Sequence, residues 1–162
     1  MTSDQPVTAA PADRSGNGSG PTRVSLDQTF CADNLFALRN AVAAHGASLG
    51  LSSPGVSDLV LLAHELASNS VRHAGATAVA PARLRLWASP DPPAVVCEVS
   101  DDGPGLTDPD RAGRNPVAET AGNGRGLWIV RQIADVVEIV VGSDGTRITA
   151  TLLLTSRPLA SE

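Results

Sequence analysis

Lysine is missing from this chain altogether, and so is tyrosine: all twelve basic residues are arginine, and the aromatics are two Phe and two Trp in 162 residues. Without lysine there is no P-loop lysine, no Schiff base and no pyridoxal phosphate site. Cysteine is scarce too. Cys31 and Cys97 lie far apart, with no Cys-x-x-Cys pair and no histidine at metal-ligand spacing, so they read as two reduced thiols. No run reaches the roughly 18 apolar residues of a membrane span, and no basic stretch followed by an apolar one opens the chain. A cytoplasmic protein without membrane contact is therefore expected. Clustered positive charge is also lacking, and a formal net charge of −5 argues against a nucleic-acid binder, which must neutralise phosphates. A protein partner or a small ligand remains.

What the chain does have is aliphatic: hydrophobic residues make up 42%, chiefly Ala, Val and Leu. That suffices for one domain with one core, folding without metals or disulfides. Residues 1–22, rich in Pro, Gly, Ser, Thr and Asp, cannot offset their own ordering entropy and read as a disordered tail. Residues 157–162 form a short C-terminal tail, leaving 23–156 as the folded domain. Alternation predicts a strand over 23–29. The spacing of Leu35, Leu38, Val42 and Leu49 predicts a helix over 31–49, stopped by Gly50. Ser52, Ser53 and Pro54 open a second helix that runs to His73 or Ala74, with Gly75 as its stop. Its apolar stripe is Val56, Leu59, Val60, Ala63, Leu66, Ala67, Ser70 and Val71, while Asp58, Glu65, Asn69 and Arg72 share a polar side. Strands follow over 82–88, 94–100, 136–141 and 146–154, the last two joined by a turn at Ser143, Asp144 and Gly145. Between them lie an aperiodic loop over 107–121 and a third helix over 125–135. The fold class is α+β: a two-layer sandwich whose mixed, mostly antiparallel sheet is covered on one face by about three helices.

Three segments carry polar groups in patterns suited to chemistry. In the run from His64 to Ala74, Glu65 and Asn69 are four residues apart and so share one helix face, a turn apart. A carboxylate beside a carboxamide can hold a divalent cation or align a hydroxyl; a solvated polar face has the same pattern. Asp101-Asp102-Gly103-Pro104-Gly105 ends a strand in an acidic glycine turn, where Gly103 and Gly105 let backbone approach a flat ligand and a carboxylate can accept an amino hydrogen. An ordinary loop can look alike, but a calcium loop would need an acidic residue where Ala112 stands. Gly122-Asn123-Gly124-Arg125-Gly126-Leu127 precedes a helix, so its amides form a phosphate site with Arg125 as counter-charge. Its glycine spacing is not that of a dinucleotide fold.

In this order, and followed by Gly145-Thr146, these segments resemble the asparagine box and glycine boxes of the GHKL superfamily, which has the Bergerat ATP-binding fold. The resemblance spans residues 23–154. The pattern Glu65-Leu66-x-x-Asn69-x-x-x-His73-Ala74, with a short lid and the stretch Gly124-Arg125-Gly126-Leu127-Trp128-x-Val130-Arg131-Gln132-x-Ala134-Asp135, is similar to the anti-sigma regulatory factors, which are serine-protein kinases. Histidine-kinase catalytic domains usually have Lys and an aromatic where this chain has Arg72-His73. The resemblance implies ATP and Mg2+ as cofactors, with Asn69 the magnesium ligand and Glu65 the general base. Asp101 would accept the adenine amino hydrogen, with Thr146 nearby on the base. Gly122, Gly124 and Gly126, with Arg125 and Leu127, would surround the phosphates, and residues 107–121 would close over them as a lid. Ser70 replaces the commoner Ala after the box asparagine, and His73 reads as a packing or capping residue. The implied partners are a sigma factor and a STAS-type anti-sigma antagonist, and related regulators commonly act as homodimers. Two other functions fit the same residues: a non-catalytic ATP-binding regulatory module, and a histidine-kinase-type catalytic domain acting on a phosphoacceptor elsewhere.

Overall fold

The computed structural model describes residues 24–74, 81–116 and 124–155. The chain runs β1 (Val24–Phe30), a single 3-10 turn (Ala32–Asn34), α1 (Leu35–Ser48), α2 (Ser53–Ala74), β2 (Ala82–Pro90), β3 (Pro93–Asp101), α3 (Arg125–Ile133), β4 (Val136–Gly142) and β5 (Gly145–Leu153). The predicted first helix begins at Leu35 because Asn34 ties back to Cys31: its Oδ1 accepts the Cys31 amide at 2.8 Å, closing a separate turn. Gly50 stops it as expected, in the left-handed region at φ +94. Ser52 opens α2, its carbonyl accepting the Val56 amide at 2.8 Å. Gly75 and the two tails lie outside the described residues.

The five strands form one sheet in the order β1-β2-β3-β5-β4. Every pairing among the described residues is antiparallel, so the parallel pair expected of a mixed sheet is not found among them. Period-two alternation explains which face the helices cover. Leu84 and Leu86 of β2, Val95, Cys97 and Val99 of β3, and Ile148, Ala150 and Leu152 of β5 all join one core. Leu59, Leu62, Ala63, Leu66 and Ala67 of α2 meet them, with Leu38 and Val42 from α1 and Leu127 and Val130 from α3. β3 is buried almost throughout, which accounts for its unbroken run Ala94-Val95-Val96-Cys97. On its outward side Glu98 is nearly covered, held by Arg85 with Arg147 3.8 Å away. Arg83 and Asp27 make a second, exposed pair across β1 and β2, and that bond holds the Asp27 carboxyl below its usual range. No helix among the described residues is long and apolar enough to cross a membrane.

Candidate functional site

The middle strand β3 ends at Asp101, whose partner across the ladder in β5 is Thr146. The hairpin that starts β5 turns tightly enough that Gly145, at φ +119, lies directly against the Asp101 carbonyl. The strand end is thereby anchored, and α2 passes beside it. Asn69, Ser70 and His73 of α2 line one crevice with Asp101, Gly103, Gly105, Leu106, Thr146 and Ile148. The crevice is narrow: its open volume is about 10 Å³, no more than a single water fills.

Two donors hold Asp101: the Ser70 hydroxyl donates to Oδ2 at 2.7 Å and the Gly103 amide to Oδ1 at 3.0 Å. The Thr146 hydroxyl, in contrast, is buried with no hydrogen-bond partner among the described residues. An orphaned buried hydroxyl is costly, so a ligand with a polar edge that satisfied it would bind more favourably. Gly105 forms the adjoining wall at φ +82; a β-carbon there would sit 2.5 Å from Val141 Cγ1 and 3.3 Å from Thr146 Oγ1. Only glycine leaves this surface open.

Glu65 belongs to another part of the site. It is half-buried on the side of α2 that packs on α3, and the crevice wall does not include it. A β-carbon on Gly126 would lie 2.8 Å from Glu65 Oε2 and 3.8 Å from Arg72 Nη2, so a carboxylate and a guanidinium both flank the first turn of α3. That helix starts at Gly124, φ +93, with no side-chain cap on its amides; such an end attracts anions. Arg125 is exposed beside it, whereas Leu127 is buried in the core and offers a ligand only its backbone. Gly122 lies outside the described residues.

Two described residues of the expected lid, Ala112 and Gly113, are packed against α3. Gly113, at φ +71, abuts the Leu127 backbone, and the Ala112 carbonyl accepts the Arg131 Nε at 2.7 Å. Burial, with Arg114 nearby, lowers the Arg131 pKa from its ordinary value. The remainder of that segment, residues 117–121, lies outside the described residues.

Sequence reasoning missed two residues. Ser70 read as a minor replacement, though a hydroxyl on an apolar stripe signals a buried partner. Arg72 drew no role, and its place beside α3 depends on how two helices pack. His73, expected to pack or cap, is exposed on the crevice wall.

A helix-backed antiparallel sheet with a polar crevice at the end of its central strands defines a two-layer α+β module. The chain belongs to the family of histidine kinase-like ATPase domains, whose model matches residues 31–152. Its fold is similar to that of the RsbU and RsbW domains of Rv1364c from Mycobacterium tuberculosis, with TM-score 0.60 at 22% identity over 85% of this chain and 34% of that one. It is also similar to the Erythrobacter litoralis EL346 blue-light activated histidine kinase, with TM-score 0.51 at 19% identity over 76% of this chain and 42% of that one. The chain thus spans less than half the length of either structure. No curated protein matches the sequence.

Proposed function

We propose that this chain binds ATP with magnesium and acts as an anti-sigma factor of the serine-protein kinase type, sequestering a sigma factor and phosphorylating a serine of a STAS-type antagonist. The observation that carries the nucleotide reading is the convergence of Asn69, Asp101 and Thr146 on one crevice, with the Thr146 hydroxyl buried and unpartnered among the described residues. Asp101 accepts the exocyclic amino hydrogen of adenine, the Thr146 hydroxyl bonds the base edge, and Gly103 and Gly105 keep the wall open. Phosphates meet the uncapped amides of α3 behind Gly124 and Gly126, with Arg125 and Arg72 as counter-charges.

Asn69 would hold magnesium through its side-chain oxygen, and the ion, when bound, neutralises charge on the phosphates. Among the described residues no group of three His, Cys, Asp or Glu side chains could hold a metal. A single amide oxygen suits an ion that arrives with nucleotide and keeps its waters. Glu65 takes the proton of the attacking serine hydroxyl as the oxygen–phosphorus bond forms and the bond to the bridging oxygen breaks, releasing ADP. Most of the acceleration in such transfers comes from positioning and charge neutralisation.

A second reading, an ATP-controlled binding module without transfer, is favoured by the position of Glu65 against α3 and off the crevice wall. Labelled ATP incubated with the protein and candidate antagonists separates the two. Transfer of acid-stable label that Glu65→Gln abolishes while keeping ATP affinity supports the kinase. ATP binding without label transfer supports the module, and acid-labile label supports a histidine phosphoacceptor. Asn69→Ala should remove the magnesium dependence of affinity, whereas Asp101→Asn should weaken ATP and ADP alike; equal loss of magnesium dependence in both would refute these roles.

A further inference from the structure

The side chain next to Asn69 is turned into the protein. Ser70 is only 4% exposed, and its hydroxyl donates to Asp101 Oδ2 across 2.7 Å, from helix α2 to the end of β3. Oδ1 already accepts the Gly103 amide. A carboxylate turns easily about its last torsion, which is broad and two-fold, but one pinned through both oxygens has a set plane. Each oxygen keeps a lone pair for a further donor, so the group stays purely an acceptor.

We propose that Ser70 is a positioning residue for base selection: its buried hydroxyl fixes the Asp101 carboxylate in the plane that accepts a 6-amino purine. The inference rests on the adenine-nucleotide reading. A 6-amino purine presents a donor beside a ring acceptor, whereas a 6-oxo purine presents an acceptor beside a ring donor. Only the former gains from an acceptor-only carboxylate at that position, so only the former loses when the carboxylate is freed. An alanine at position 70 matches the size of the site and removes the donor, leaving a half-buried carboxylate one bond short.

Calorimetric titration of the full chain with ATP and with ITP, both with magnesium, tests this in four proteins: wild type, Ser70→Ala, Asp101→Asn and the double variant. Ser70→Ala should weaken ATP about tenfold and change ITP by less than about twofold, narrowing the ATP-to-ITP ratio. In the Asp101→Asn background it should cost nothing more, because it acts through that carboxylate. Equal losses for ATP and ITP, or full additivity with Asp101→Asn, would overturn the role of Ser70. Wild type that prefers ATP, with Ser70→Ala indistinguishable from it, overturns the inference alone; wild type that binds neither nucleotide overturns the adenine reading with it. Thermal unfolding checks each variant. Should Ser70→Ala not fold, Ser70→Cys, which fills the site with a weak donor, must show the same narrowed ratio.

Discussion

Replacing Gly145 by alanine attacks the joint on which the crevice depends. The added β-carbon would lie 1.8 Å from the Asp101 carbonyl oxygen and 2.7 Å from both Asp101 C and Asp102 Cα, all backbone atoms that no rotamer change can move. Ordinary contact needs about 3.5 Å, so the strand ends must part by more than about 1 Å. Backbone at φ +119 costs alanine about 1–3 kcal/mol. Opening the last rungs of the β3–β5 ladder, where Asp101 faces Thr146, costs about 1 kcal/mol for each hydrogen bond lost. The sum, about 3–5 kcal/mol, is a large part of the stability of a typical domain. Gly142, at the other end of the same hairpin, has nothing within 4 Å of its β-carbon position, so Gly142→Ala should stay within about 0.5 kcal/mol of wild type. Urea unfolding followed by circular dichroism, with equal m-values, measures both differences. A Gly145→Ala protein within about 1 kcal/mol of the Gly142→Ala control would refute the close approach of the two strand ends.

Gly126→Ala should separate stability from chemistry. Its β-carbon meets only the flexible end of Glu65 at 2.8 Å, while alanine favours helix by up to about 1 kcal/mol; the urea midpoint should hold or rise as phosphotransfer falls about tenfold or more, and unaltered transfer would remove Glu65 from a role at this place. A thiol reagent at pH 8 should modify one cysteine of the native chain, the exposed Cys31, and reach Cys97 only after denaturation; two fast equivalents would contradict the packing of β3. Burial, with Glu98 beside it, pushes the Cys97 thiol up to about 12 from 9.0. The unfolded chain therefore ionises first: stability is whole below pH 9 and declines from there to about pH 12, by at most about 1.4 kcal/mol per unit, and Cys97→Ala should flatten that part of the alkaline profile. Ser57→Ala, which removes only an exposed hydroxyl bonded 3.2 Å from the Ser53 carbonyl, should leave melting temperature and any nucleotide affinity unchanged within error; a clear loss would place unseen contacts on that face of α2.

Local physics made much of this readable without coordinates. Helical spacing of Leu35, Leu38 and Val42, the Ser-Pro start of α2, the glycine stop at 50 and the period-two strands are determined by neighbours a few residues away, and their boundaries moved by only a few positions. The pattern Glu65-x-x-x-Asn69 placed both side chains on one side of a helix for the same reason. Their division of labour was not legible. Asn69 faces the crevice and Glu65 faces α3 because a third element packs against α2, and the two side chains meet different neighbours one turn apart.

The sequence by itself determined the α+β class and the positions of the elements and singled out Asn69, Asp101 and Gly105, because composition, periodicity and turn chemistry act over short stretches of chain; Thr146 came only with the family resemblance. Only the tertiary structure decided that Ser70 holds Asp101, that Thr146 is buried without a partner among the described residues, that Ala112 and Gly113 lie against α3, and that every described strand pairing is antiparallel. Those facts join residues that are tens of positions apart, and contacts at that range follow from packing of whole layers, which no local pattern encodes.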